Sequence, residues 1–87
     1  MYSKGQIVFS KCGRDKGRAF IVYDYDDDYV FIVDGSLRKL EKPKKKKKIH
    51  IQISNNIDEE IRNKIENELY LLNSDIKKAL AKYNEKL

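Results

Sequence analysis

Residues 5–22 read GQIVFSKCGRDKGRAFIV, and the order of residue types along them decides the fold class. Gln6-Ile7-Val8-Phe9-Ser10-Lys11 is a β-branched and aromatic run of strand type. Cys12-Gly13-Arg14-Asp15-Lys16-Gly17-Arg18 breaks it with two glycines and four charges. Glycine reaches positive φ without steric cost, so this segment is expected as a tight, basic loop. Ala19-Phe20-Ile21-Val22-Tyr23 then returns as a second strand.

The same period of two continues outward. Asp24 to Asp28 forms an acidic turn around Tyr25, and Tyr29-Val30-Phe31-Ile32-Val33 is a third strand. Asp34-Gly35 is a tight-turn dipeptide, and Leu37 to Glu41 is a candidate for a short fourth strand. Pro43 and the lysines around it, Lys42 to Lys48, read as a break. Ile49-His50-Ile51-Gln52-Ile53 alternates, with three isoleucines on one face, and is expected as a fifth strand. Short strands at close spacing suggest a small barrel or sandwich, because closure removes exposed sheet edges.

At Ser54 the period changes. Ile57, Ile61, Ile65, Leu69, Leu72, Ile76, Leu80, Tyr83 and Leu87 recur every three or four residues, which is one stripe of a helix. Asn56 with Glu59 resembles a capping box, and Asp58-Glu59-Glu60 suit the positive end of a helix dipole. Asn73-Ser74-Asp75 interrupts the stripe, and Ser74 is placed to cap a second helix. One continuous helix of about 45 Å would find little to pack on beside so small a sheet, so two helices are favoured, although the stripe stays in phase across the interruption. The chain thus divides into a β domain, residues 1–53, and an amphipathic helical extension, residues 54–87. That extension either covers the open side of the sheet or offers a surface to a protein partner or a second copy.

Charge follows this division. The 87 residues carry 19 Lys+Arg and 14 Asp+Glu, a net charge of +5, and the pI is near 9.3. Residues 1–53 hold 13 basic and 7 acidic side chains, whereas residues 54–87 hold 6 and 7. A one-sided basic field favours a polyanionic partner. The one cysteine, Cys12, rules out an intramolecular disulfide and fits a reducing compartment. No apolar run approaches the ~20 residues of a membrane span. The first residues also lack a signal-peptide stretch, so a cytoplasmic protein with no membrane association is expected.

Gly5 to Val22, with its basic glycine loop between two apolar strands, resembles a KOW motif, and Gly17 matches that family's characteristic glycine. Ile32-Val33-Asp34-Gly35 followed by Arg38 is similar to the ribosomal branch, the large-subunit fourteen-e type, and to small bacterial KOW RNA-binding proteins. The resemblance covers residues 4–53. It implies an SH3-like five-stranded β-barrel, so that the whole chain is α+β with a C-terminal helical segment. It also implies RNA binding, often to ribosomal RNA. KOW domains of transcription-elongation factors also occur, some of which contact protein. Gly5, Gly13, Gly17 and Gly35 are the motif glycines.

Candidate RNA contacts fall in two segments. Lys11, Arg14, Lys16 and Arg18 crowd one loop, where arginine suits bidentate phosphate contact and lysine acts as a point charge. Arg38, Lys39, Lys42, Lys44, Lys45, Lys46, Lys47 and Lys48 form the second, and such a run gains affinity for RNA by releasing condensed counterions. His50 alternates against Ile49 and Ile51 and is expected to face solvent or RNA. Phe9, Phe20 and Phe31 are expected in the core. Stacking by Tyr23, Tyr25 and Tyr29 is disfavoured by Asp24, Asp26, Asp27 and Asp28, which repel phosphate and steer RNA away. That cluster lacks the spacing of a Ca²⁺ loop, so no metal is expected. Cys12 beside cations is either a stabilised thiolate or a bystander. No nucleophile–base pair, Walker loop or zinc signature is present. The expectation is therefore a cofactor-free, non-enzymatic RNA-binding protein of the translation machinery. The alternative is an adaptor in transcription or ribosome assembly, acting through residues 57–87.

Overall fold

The computed structural model describes residues 1–85. It is a small α+β fold, a five-stranded antiparallel sheet with two helices. The strands are β1 (Gln6–Ser10), β2 (Ala19–Tyr25), β3 (Tyr29–Val33), β4 (Lys44–Lys47) and β5 (Ile51–Ile57), and the helices are α1 (Glu59–Glu66) and α2 (Asn73–Asn84). The sheet order is β4-β3-β2-β1-β5. The first four strands form a meander, and the fifth returns to the free side of β1. β4 and β5 are the two edges and do not pair with each other, so backbone hydrogen bonds do not close the sheet.

The first three strands lie where their residue types place them. Their alternate residues feed two apolar layers on opposite faces of the sheet. Val8, Phe20, Val22, Val30, Ile32 and Ile51 make one layer, with Tyr2 packed against it. Ile7, Ala19, Ile21 and Val33 make the other, which Ile61 of α1 and Ile76 and Leu80 of α2 complete. The helical extension therefore shares a core with the sheet. A side chain such as Ile76, fully buried, contributes about 1.5–3 kcal/mol by leaving water.

Four local expectations are corrected. Leu37 to Glu41 is loop, and the fourth strand is the lysine run itself. A strand sends successive side chains to opposite faces, so four lysines place two ammoniums on each face and neighbouring charges are kept apart. β4 pairs only with β3, and charged side chains on such an edge block pairing with other chains. Pro43 stands just ahead of the strand, a position that needs no ladder donor.

The fifth strand is displaced. Lys48 to His50 form a turn of 3-10 helix, and β5 runs from Ile51 to Ile57. Ile49 is 71% exposed while Ile51 is buried, so the three isoleucines do not share one face. The chain needs this turn to pass from the β4 edge to the β5 edge. The Lys48 amide donates to the Asp28 carbonyl (3.0 Å), and the Lys11 amide donates to the His50 carbonyl (2.8 Å).

The first helix accordingly starts later than Asn56. Asp58 caps it, accepting from the Ile61 amide at 3.0 Å. The second helix starts at Asn73, one residue before the expected Ser74 cap, and Asp75 accepts from the Leu72 amide (3.0 Å). The Asn73 side chain is spent elsewhere: its Oδ1 accepts from the Leu40 amide and its Nδ2 donates to Glu41, both at 2.8 Å. Leu87, the last residue of the stripe, lies outside the described residues. Of the phenylalanines, Phe20 is fully buried, while Phe9 and Phe31 are only partly so. Phe9 meets the Tyr83 ring edge-on at 5.7 Å.

Gly35 shows how closely α2 docks. Its φ is +78°, and a Cβ there would collide with the Asn73 carbonyl oxygen. No other residue type fits that contact. Replacing Ile76 with alanine is expected to cost about 2–5 kcal/mol in urea denaturation. Leu69→Ala, at a 52% exposed position, is expected to stay within about 0.5 kcal/mol of the parent.

Candidate nucleic-acid interface

The basic loop between β1 and β2 is held by its own backbone. The Gly17 amide donates to the Ser10 carbonyl (2.9 Å), the Ser10 amide to the Arg18 carbonyl (3.1 Å), and the Arg18 amide to the Asp15 carbonyl (2.9 Å). Gly17 takes φ +87° at the point where the loop re-enters the sheet. Lys11, Arg14 and Lys16 point outward and are exposed, whereas Asp15 between them is buried. The four cations of this loop therefore do not behave alike.

Arg18 is committed to the fold. Its Nη2 donates to Asp34 Oδ2 at 3.0 Å, and the Asp34 side chain is fully buried. Arg38 does the same with buried Asp15, at 3.3 Å. Asp34 Oδ1 also accepts from the amides of Ser36 (2.9 Å) and Arg38 (2.8 Å). The Asp34-Gly35 turn thus spans residues 34–38 and is organised by a carboxylate. These two pairs join the loop after β1 to the loop after β3. Arg18 Nε and Arg38 Nε are buried without a partner among the described residues. Sequence reasoning missed Asp15 and Asp34 as their partners, because a carboxylate inside a basic run lowers a charge count without showing where it points.

β4 closes the same end of the molecule. Lys46 Nζ donates to Ser10 Oγ (2.7 Å) and to the Cys12 carbonyl (3.1 Å), so it ties the lysine strand to the base of the basic loop. Lys45 and Lys47 lie on the other side of β4 and are exposed. Arg38, Lys39, Lys42, Lys44 and Lys45 line a groove of about 610 Å³ with Leu37, Glu41 and Pro43. Among the described residues, Lys11, Arg14, Lys16, Lys39, Lys42, Lys44, Lys45 and Lys47 make no ion pair. Lys46 and the Arg38–Asp15 pair therefore bring two segments far apart in sequence next to each other.

The acidic turn lies next to these segments. Asp26 Oδ1 accepts from the amides of Tyr29 (2.7 Å) and Asp28 (3.0 Å). Those hydrogen bonds hold its carboxyl below the usual carboxylate range, with Lys45 and Lys48 adding attraction. Lys48 places its ammonium 5.2 Å from the Tyr2 centroid and 5.7 Å from that of Tyr25, a cation–π arrangement. His50 sits half-buried in the 3-10 turn rather than on a strand. Cys12 is a free, partly exposed thiol. Among the described residues no group of three or more His, Cys, Asp or Glu is placed to hold a metal ion, and no helix is long and apolar enough to cross a membrane.

No protein-family model and no curated protein matches this chain.

Two consequences are measurable. Arg18→Ala leaves Asp34 buried and uncompensated. Because Arg18 keeps 25% of its side chain exposed, the loss is expected at about 1–3 kcal/mol, below that of a fully buried pair. Arg14→Ala is expected within about 0.5 kcal/mol of the parent in the same denaturation assay. Asp26 supplies the second. A carboxyl whose folded pKa is depressed contributes stability that is complete above its unfolded value, near 3.9, and is lost as pH falls through the folded value. The parent is therefore expected to lose stability relative to Asp26→Asn as pH drops below about 4, followed by denaturation midpoints across an acid series.

Proposed function

We propose that this chain is a non-catalytic, cytoplasmic RNA-binding protein of the translation machinery, an SH3-like barrel of KOW type whose basic end grips ribosomal RNA. The observation that carries the proposal is the surface of unpaired cations gathered from residues 11–16 and 39–47. Two arginine–aspartate pairs and Lys46 hold those segments in place. Backbone segments already held in place need no ordering when their side chains meet a phosphate backbone.

The strand order supports the architectural part. β5 returns to β1, and the 3-10 turn carries the chain between the edges. Residues 5–22 make the strand, glycine loop and strand that the KOW resemblance requires. Lys11, Arg14, Lys16, Lys39, Lys42, Lys44, Lys45 and Lys47 are the proposed backbone contacts, while Arg18 and Arg38 position the loops that carry them. Phosphate contacts place a protein on RNA, and the shape of the RNA then supplies much of the selectivity.

A second reading, an adaptor in transcription or ribosome assembly acting through the helices, is favoured by one feature. Leu69, Tyr70 and Leu72, in the link between α1 and α2, are 52%, 81% and 43% exposed.

Crosslinking in cells followed by RNA sequencing separates the two, with a variant carrying serine at Lys11, Arg14, Lys16, Lys45 and Lys47. Recovery of ribosomal RNA at a few discrete sites, lost in the variant, is the expected result. Scattered RNA, equal in both, favours the adaptor. In solution a footprint of about six phosphates gives a slope of log affinity against log salt near −4 to −5. A protein that ignores RNA at low salt ends the proposal.

A further inference from the structure

Where β3 leaves the acidic turn, a groove of about 280 Å³ opens between Asp28, Tyr29, Lys47 and Ile49. We infer that this groove takes one unpaired nucleotide of a single-stranded RNA, its base stacked on Tyr29 and its phosphate held by Lys47. The inference rests on the RNA reading above and deepens it, since backbone contact alone makes no distinction between paired and unpaired RNA.

The walls carry the argument. Tyr29 and Lys47 are directly opposite on β3 and β4, so an aromatic ring and an exposed ammonium face the same space. Ile49 is 71% exposed in the 3-10 turn, an apolar wall that nothing in the fold covers. Lys45 holds its ammonium 4.3 Å from the Tyr29 centroid but takes no part in the groove wall. Lys45 thus adds a second cation beside the proposed stacking ring. Bases stack on such rings irrespective of sequence, and flanking cations follow the backbone.

Asp28 fixes the orientation. Its side chain has no hydrogen-bond or ionic partner among the described residues, and its charge disfavours a phosphate inside the groove. A carboxylate does accept from the amino and ring N–H groups of a base. The negative charge of the turn thus sends the base inward and leaves the phosphate to Lys47. The acidic turn, expected from sequence to repel RNA, becomes part of the recognition surface.

The test compares a single-stranded RNA of ten nucleotides, one of them 2-aminopurine, with a blunt RNA duplex by fluorescence anisotropy. Parent, Tyr29→Ala, Tyr29→Phe and Ile49→Ser are measured, and circular dichroism checks that each is folded. Tyr29→Ala is expected to weaken single-strand binding roughly 5- to 100-fold and leave duplex binding unchanged. Ile49→Ser, at a position too exposed to unfold the protein, changes binding in the same direction. Tyr29→Phe keeps the ring and retains affinity, and 2-aminopurine fluorescence falls on binding only where an aromatic ring is kept. Equal losses on both RNAs, or no loss in any variant, overturn the groove while the RNA reading stands. A parent that binds neither RNA overturns both.

Discussion

Strands β1, β2 and β3 are apolar on both faces, and the rest of the molecule follows from having to cover them. Ile7 and Val8, then Ala19 to Val22, then Ile32 and Val33 are consecutive buried residues, and alternation sends their side chains to opposite sides. A flat sheet of this composition would leave one face wet. On one face Val8, Phe20, Val22, Val30, Ile32 and Ile51 pack together, with Tyr2 against them. The other needs the helices, and only there do Ile61, Ile76 and Leu80 find partners. Asn84 shows how tightly the helix is fitted: its side chain both accepts from and donates to the Ala19 backbone, at 2.9 and 3.1 Å, as a neighbouring strand would. Covering the sheet also places α2 against Gly35 and Leu40, so the helical half helps to set the loop after β3.

The division of labour between arginine and lysine has a physical origin. Guanidinium is planar and more weakly hydrated than ammonium, so it loses less on entering a partly dry site with a carboxylate. Arg18 and Arg38 occupy such sites and hold the loops. Lysine keeps its charge in water and lays its stem along apolar surface, which is what β4 asks of Lys44 and Lys46 as they lie beside Ile32 and Val30. Arg18 and Arg38 thus set the shape of the loops, whereas Arg14 and most lysines of this segment stay on the solvent side.

The readable parts of the sequence were those where one pattern dominates. β1, β2 and β3 and the loop between the first two follow from periodicity and turn chemistry alone; the break of the tail did not, because its stripe stays in phase, and the structure puts the link at residues 67–72, just ahead of the expected interruption at Asn73. The misplaced parts are those where a tertiary need overrides local preference. Four lysines have no strand propensity of their own, yet β3 needs an edge partner and takes them. Ile49 to Ile53 alternates well, yet the chain must cross from one edge to the other and uses Lys48 to His50 to do so. For the site, the outward cations were legible as a dense run, and Arg18 and Arg38 could not be told from them. Nothing local distinguishes an arginine that meets a phosphate from one that meets Asp34, because the partner is 16 residues away for Arg18 and 23 for Arg38.

The net charge of the basic segment includes two neutralised pairs. Asp15 and Asp34 are buried, and each is neutralised by an arginine at 3.3 and 3.0 Å. Removing both pairs from the count leaves the charge difference unchanged but shifts where it lies. Of the eleven cations that remain, Lys11, Arg14, Lys16, Lys39, Lys42, Lys45 and Lys47 are exposed and Lys4, Lys44, Lys46 and Lys48 are half-buried, and the remaining carboxylates of this segment are confined to the acidic turn and to Glu41, whose carboxylate is occupied by Asn73. A polyanion approaching the end formed by residues 11–16 and 39–47 meets exposed positive charge with few exposed carboxylates interleaved. Along β4 toward the acidic turn the sign changes over a few residues. Under the proposed RNA reading, that change of sign gives a phosphate backbone one favoured direction along the surface.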